Sequence, residues 1–321
     1  MATRPGRRRG LIGWLAWIVG AVTFGYLGYL TVEGSRRIVS PGRRPFVPEE
    51  GDPATPADIG LDYEDVRFTT DDGVTLSGWL VPAGRETRAA VVLMHGFSWH
   101  RLPWLAGFVP WLQRRYHVLQ FDFRGHGTSD ASMITLGTRE RADVAAAVRF
   151  AESRGLGPLG LMGIRMGAAI AILAAPDLPV AAVVADAAYA DLRHPIASRL
   201  RASGYPLSGI GSWAIVAAAS VRARRRLLSP IERVARIAPR GLLLIAPRED
   251  SLINHTQSLR LYSAAREPKE LYLVPGAEHA AAYTVAGIEY ERRVLSFLER
   301  HLDGAPLTQG ASAREGPAQH L

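Results

Sequence analysis

Cysteine is absent from the 321 residues. That excludes disulfides, thiolate nucleophiles and zinc–thiolate centres. Lysine is almost absent as well: Lys269 is the only one, so the net charge of +8 is carried by arginine. No His/Asp/Glu cluster has metal-ligand spacing and no glycine-rich phosphate loop is present, so no metal and no cofactor are expected. The chain also lacks a basic stripe interleaved with aromatics, and nucleic acid is not an expected partner. Arginines at 7–9 and 36–44 flank a hydrophobic run, which suits anionic headgroups, while those at 222–226 read as a solvated helix face. There is no internal repeat.

What remains is ordinary for a large globular domain: 48% hydrophobic and 21% charged residues, enough for a sizeable core with appendages. Residues 1–10 are polar and basic. Residues 11–32 (LIGWLAWIVGAVTFGYLGYLTV) carry no charge. About 22 residues rising about 1.5 Å each span about 33 Å, the thickness of a hydrocarbon core. Trp14, Trp17, Tyr26 and Tyr29 lie towards the two ends, as an interfacial belt requires. The run exceeds a signal-peptide core and no small-x-small cleavage site follows, so an uncleaved single-pass anchor is expected in the cell membrane. Arginines on both sides nearly balance the positive-inside rule. An anchor so near the N-terminus places the large domain outside the cytoplasm as the default expectation. Residues 33–57, with Pro41, Pro45, Pro48, Pro53 and Pro56 at their end, read as an extended stalk. Residues 303–321 read as a tail without structure.

Between them, residues 58–302 alternate in the manner of a parallel α/β sheet. Val66–Thr69 and Val74–Val81 flank Asp71-Asp72-Gly73 and predict a hairpin. Ala89–Met94, His117–Phe121, Leu159–Met162, Val180–Val184, Leu242–Ile245 and Leu271–Val274 are short apolar runs of the kind found in strands buried on both faces. Helical spacing covers Trp104–Arg115, Thr138–Ser153, Met166–Ala175 and Ala281–His301. Residues 188–232 break the rhythm and are expected to form a small helical cap; the bland reading is one helix with long loops. In such sheets ligands bind beyond the carboxyl ends of the strands.

Four segments fall at those ends: Met94-His95-Gly96-Phe97; Asp122 to Ser129; Gly163-Ile164-Arg165-Met166-Gly167; and Asp250 with His279. Their order and surroundings resemble the α/β hydrolases, and among them an N-terminally membrane-anchored esterase- or peptidase-like branch. The resemblance covers about Asp58 to Leu302. It implies an α/β-hydrolase fold: a mostly parallel central sheet flanked by helices. It also implies a catalytic acid at Asp250, a base at His279, and oxyanion donors at the backbone N–H groups of Phe97 and Met166.

The departure is at Arg165, where the family's G-x-S-x-G pattern has its serine. A guanidinium stays protonated at any working pH and cannot attack a carbonyl. Asp250 and His279 are then a remnant of a triad, and Arg165 with His95 is expected to bind a ligand. Arginine's bidentate geometry suits a carboxylate or phosphate. The rival is that Arg165 folds onto Asp250 or Glu278 and plugs the pocket. Ser98 is a loop serine by default, and Asp122 with Arg124–Gly127 is expected to shape the pocket wall. The expected function is a membrane-anchored α/β-hydrolase-family protein, impaired or inactive in catalysis, that binds a small anion or a partner protein. The alternative is an active hydrolase of esters or amides using His279, Asp250 and a non-standard nucleophile. A third reading is an isolated change, since serine AGC and arginine CGC differ by one base.

Overall fold

A computed structural model describes residues 6–279 and 281–303, with side chains from residue 13 onwards. Its frame follows from the apolar runs. Eight strands form one sheet: β1 Glu64–Thr69, β2 Thr75–Val81, β3 Ala90–Met94, β4 His117–Phe121, β5 Leu159–Ile164, β6 Ala182–Asp186, β7 Gly241–Pro247 and β8 Lys269–Val274. The spatial order is β1-β2-β4-β3-β5-β6-β7-β8. The hairpin pairs β1 with β2, and β2 with β4, antiparallel; every later pairing is parallel.

The period of two along a strand divides the core into two layers. In β3, Ala90, Val92 and Met94 face one layer, which holds α3 (Glu140–Ser153) and α4 (Met166–Ala174). Val91 and Leu93 face the other, which holds α2 (Leu105–Gln113) and α9 (Ile288–Leu298). Burial on both faces explains why these strands read as unbroken apolar runs.

The expected elements are present, with one difference in the closing segment. The single helix foreseen over Ala281–His301 is three pieces: α8 (Ala282–Ala286), α9, and a π turn at Glu299–Asp303. Gly287, at φ 48°, makes the break that a residue with a Cβ resists. The tail foreseen at 303–321 lies outside the described residues from 304 onwards.

The insertion forms two helices, α5 (Arg193–Ala202) and α6 (Ser208–Ala223), rather than one helix in long loops. A further helix, α7 (Thr256–Ala264), follows β7.

At the N-terminus, helix α1 runs from Gly6 to Val39. By length and composition its Gly13–Val39 stretch suffices to cross a membrane, with a mean hydropathy of 1.6; a signal sequence meets the same test. The stalk foreseen over 33–57 needs correction at its start. Residues 33–39 are helical, because Ser35, Ile38 and Val39 are buried against the domain. The proline-rich remainder lies on the domain too. Phe46 packs on Trp79 and His100 with ring centroids 6.1 and 5.0 Å apart, and Arg43 donates to the Ser129 carbonyl at 2.6 Å.

Candidate active site

The parallel register brings the C-terminal ends of β3, β4, β5, β6, β7 and β8 to one edge of the sheet. Each of the foreseen site segments leaves that edge. The turn after β5 is the sharpest, with Arg165 alone between strand and helix α4. Its φ of 56° and ψ of −111° lie where residues with a Cβ are strained by about 1–3 kcal/mol. The surroundings hold it there. The Arg165 N–H donates to the Asp186 carbonyl at 2.8 Å, and the Arg165 carbonyl accepts from Ala169 N at 3.1 Å.

The two flanking glycines are required by close approach. A Cβ on Gly163 would sit 2.3 Å from the Gly167 backbone, and one on Gly167 would sit 2.4 Å from the Met94 carbonyl oxygen. Helix α4 thus packs backbone to backbone against β3 and β5, and its all-apolar sequence is buried throughout.

The Arg165 side chain leaves this turn past Gly96, whose added Cβ would meet Arg165 Cδ at 3.5 Å. Its Nε is buried without a hydrogen-bond partner. Among the described residues the guanidinium forms no ion pair, so it is not folded onto Asp250 or Glu278. Burial pulls its pKa down from the usual arginine value; Asp250 and Asp186 oppose this, and Arg199 of α5 adds to it.

Asp250 and His279 are brought together across the loops after β7 and β8, His279 Nδ1 lying 2.7 Å from Asp250 Oδ2. Asp250 is buried, and its Oδ1 accepts the N–H groups of Leu252 and Ile253, each at 2.8 Å. Those two bonds fix the carboxylate, and the carboxylate in turn orients the imidazole. His279 keeps a quarter of its side chain in solvent. Phe97 lies in the turn after β3 and Met166 is the first residue of α4. First-turn helical N–H groups have no intrahelical acceptor, and neither of these two donates to another loop or turn carbonyl among the described residues.

His95 is not available to a ligand, which corrects the sequence expectation. It is buried, its Nδ1 bonds the Gly96 carbonyl at 2.8 Å, and its Nε2 accepts from Phe123 N at 3.0 Å. Burial first, and His126 second, push its pKa well below the ordinary value, so it is a neutral brace between two loops. His126 is a second brace, with Nδ1 on the Arg124 carbonyl and Nε2 accepting from Ser98 N at 3.3 Å. Asp122 is also interior. It accepts the Thr128 N–H at 2.9 Å and pairs with the buried Arg101. Arg124 is sealed between Asp143 and Asp72. The segment from Asp122 to Ser129 therefore scaffolds the site from beneath.

Sequence reasoning missed three groups. Asp186 ends β6 under the turn, and its Oδ2 accepts from Tyr290 Oη at 2.9 Å. Burial pushes Asp186 up to about 7 against the pull of Tyr290 and Arg165. A carboxylate ending an apolar strand was the available signal. The others are Arg199 and His194 on α5. His194 lines a cleft of about 490 Å³ together with Asp191, Arg193, Ile210, Trp213 and Arg260. Nothing local in the sequence marks which cap residues face it.

Comparison with known proteins agrees with this geometry. The family model for serine aminopeptidase, S33, matches residues 85–214. An uncharacterized protein of Mycobacterium tuberculosis is 30% identical over 272 residues, covering 82% of this chain and 86% of that one. The structure of the Pyrococcus furiosus esterase Pf2001 is 28% identical, with a TM-score of 0.65 over 77% of this chain and 96% of that one. The polyketide transferase GrgF of a Penicillium species is 28% identical over 290 residues, 75% of this chain and 98% of that protein. Its crystal structure superposes with a TM-score of 0.62. By sequence and by fold, the protein belongs to the α/β-hydrolase superfamily.

Proposed function

We propose that the protein is a membrane-anchored α/β hydrolase homologue in which Arg165 occupies the nucleophile position, so that the site binds a small carboxylate or phosphate instead of cleaving an ester. The observation that carries this is the Arg165 guanidinium itself. It stands at the tip of the strand-to-helix turn, half-buried and without an ion pair among the described residues. The N–H groups of Phe97 and Met166 supply two further donors for an anion. Helix α1 supplies the anchor, and the domain is placed outside the cytoplasm.

Calorimetry on the purified protein with acetate, octanoate and inorganic phosphate tests it. Binding by the native chain that vanishes in Arg165→Met supports the reading. Equal heats in both proteins, or none in either, defeat it.

One observation favours a second reading. The His279–Asp250 pair keeps the geometry of a working base and its orienting acid. A hydrolase of esters or amides with another nucleophile would retain it. Strong fluorophosphonate labelling of the native chain would establish that reading over the first.

A further inference from the structure

Two apolar surfaces meet at one corner of the molecule. Helix α1 exposes Trp14, Trp17, Val19, Val22 and Phe24, and becomes covered only from Tyr26 onwards. What covers it is α6. Tyr26 Oη donates to the Pro206 carbonyl at 2.9 Å. Leu30 Cδ1 lies against Gly211, at 3.6 Å from a Cβ placed there. Ile215 fills the space over Gly34, where an added Cβ would be 2.5 Å from Ile215 Cδ1. Arg222 Nε donates to Ser35 Oγ at 2.9 Å. These contacts advance together along both helices, so α6 runs beside α1 in the same direction, with its N-terminus level with Tyr26–Leu30.

That level coincides with the membrane surface if α1 is the anchor. A hydrocarbon core takes about 20 residues of helix, and counted from Leu11 it ends near Leu30. Residues 203–210 are exposed almost without a break, and they are not polar in the manner of a solvated turn. Leu207, Ile210 and Trp213 are 44%, 57% and 65% exposed, and Tyr205 lies beside them. The exposed Arg199 and Arg201 end α5 next to this turn, where phosphate headgroups would meet them. Four further arginines of the insertion, Arg222 and Arg224–Arg226, begin about 20 Å further along α6, on the side away from the proposed surface.

We propose that the α5–α6 turn and the first turns of α6, from Tyr205 to Trp213, are seated in the interfacial layer of the bilayer that α1 crosses. The inference rests on the anchor reading of α1. The lipid surface is the occupant of this apolar face, and tyrosine, tryptophan and arginine are the residues such a layer accommodates. The cleft lined by Arg193, His194, Ile210, Trp213 and Arg260 then opens at headgroup depth, with the Arg193 guanidinium 3.9 Å over the Trp213 ring at its lip.

Because the chain has no cysteine, single thiols report cleanly. The full-length protein carrying Ile210→Cys or Leu207→Cys would be labelled with a polarity-sensitive fluorophore. It would be reconstituted into vesicles of phosphatidylcholine with phosphatidylglycerol. Val19→Cys in α1 reports the anchor, and Ile288→Cys, exposed on α9, reports water. The expected result is blue-shifted emission at 207 and 210, quenched by lipids spin-labelled near the head of the chain, at a depth of about 5–10 Å. Ile288→Cys should be neither shifted nor quenched. If 210 matches 288 while 19 is deeply quenched, the docking is refuted and the anchor stands. If 19 also reports water, the anchor reading falls and the docking falls with it.

Discussion

His279 Nδ1 lies 2.7 Å from Asp250 Oδ2, although 29 residues of chain separate them. The pair is fixed by two backbone N–H bonds to Asp250 and stands beside a turn whose tip is Arg165. Under the proposed function, the orienting half of a triad is kept while the nucleophile is lost.

Arg165→Ser should therefore create activity. If residue 165 is the nucleophile position of the fold, a serine on the same turn, at φ 56°, would face His279 with the Phe97 and Met166 N–H groups beside it. Fluorophosphonate labelling should appear where the native chain gives none. Hydrolysis of a nitrophenyl ester should rise on the order of 100-fold or more, since a missing nucleophile removes most of a triad's contribution. An unreactive variant that folds would show that the pocket had changed beyond this residue.

Asp250→Asn in the Arg165→Ser background separates orientation from folding. The amide oxygen can keep the Leu252 and Ile253 bonds, but its NH₂ group faces the nitrogen that His279 must protonate. The restored turnover should fall most of the way back to that of the native Arg165 chain while the thermal midpoint moves little. Turnover unchanged within experimental error would remove His279 and Asp250 from any catalytic role.

Gly167→Ala tests the close contact beneath the turn. A methyl group would lie 2.4 Å from the Met94 carbonyl oxygen and 2.8 Å from that of His95, both rigid backbone atoms. Denaturant titration should show a loss of about 3 kcal/mol or more, the upper range for overpacking. A stability equal to the parent would mean that α4 does not sit this close to β3.

Asp186 makes stability depend on pH. Unfolded, it titrates near 3.8; folded, burial raises it to about 7. The folded chain then binds a proton that the unfolded chain has lost. Asp186 favours the fold most below about pH 4, and this contribution declines as pH rises to about 7, then levels off. Asp186→Asn keeps the oxygen that accepts from Tyr290 and removes the titration. Between pH 4 and 7 its stability should fall by at least about 1 kcal/mol less than that of the parent, given about 1.4 kcal/mol per tenfold in proton affinity. Parallel melting curves across that range would contradict the assignment.

Much of the architecture was legible in the chain itself. Apolar runs such as Ala89–Met94 and Leu159–Met162 read as strands buried on both faces, and the stretches of helical spacing between them read as the cover of such a sheet. The glycines at 163 and 167 marked a turn where backbone meets backbone, and the charge-free stretch at 11–32 marked a helix of membrane length. These are local properties, set by side-chain size, polarity and period. Tertiary structure alone decided the rest. It turned His95 from a presumed ligand group into a neutral brace, because both ring nitrogens meet backbone groups 1 and 28 residues away. It showed that α1 continues to Val39 and lies along α6, since Ser35 meets Arg222, 187 residues away, and the Val39 carbonyl accepts from Ile134 N. It also set Asp186 beside the turn, where the register of two parallel strands brings its backbone carbonyl to the Arg165 N–H.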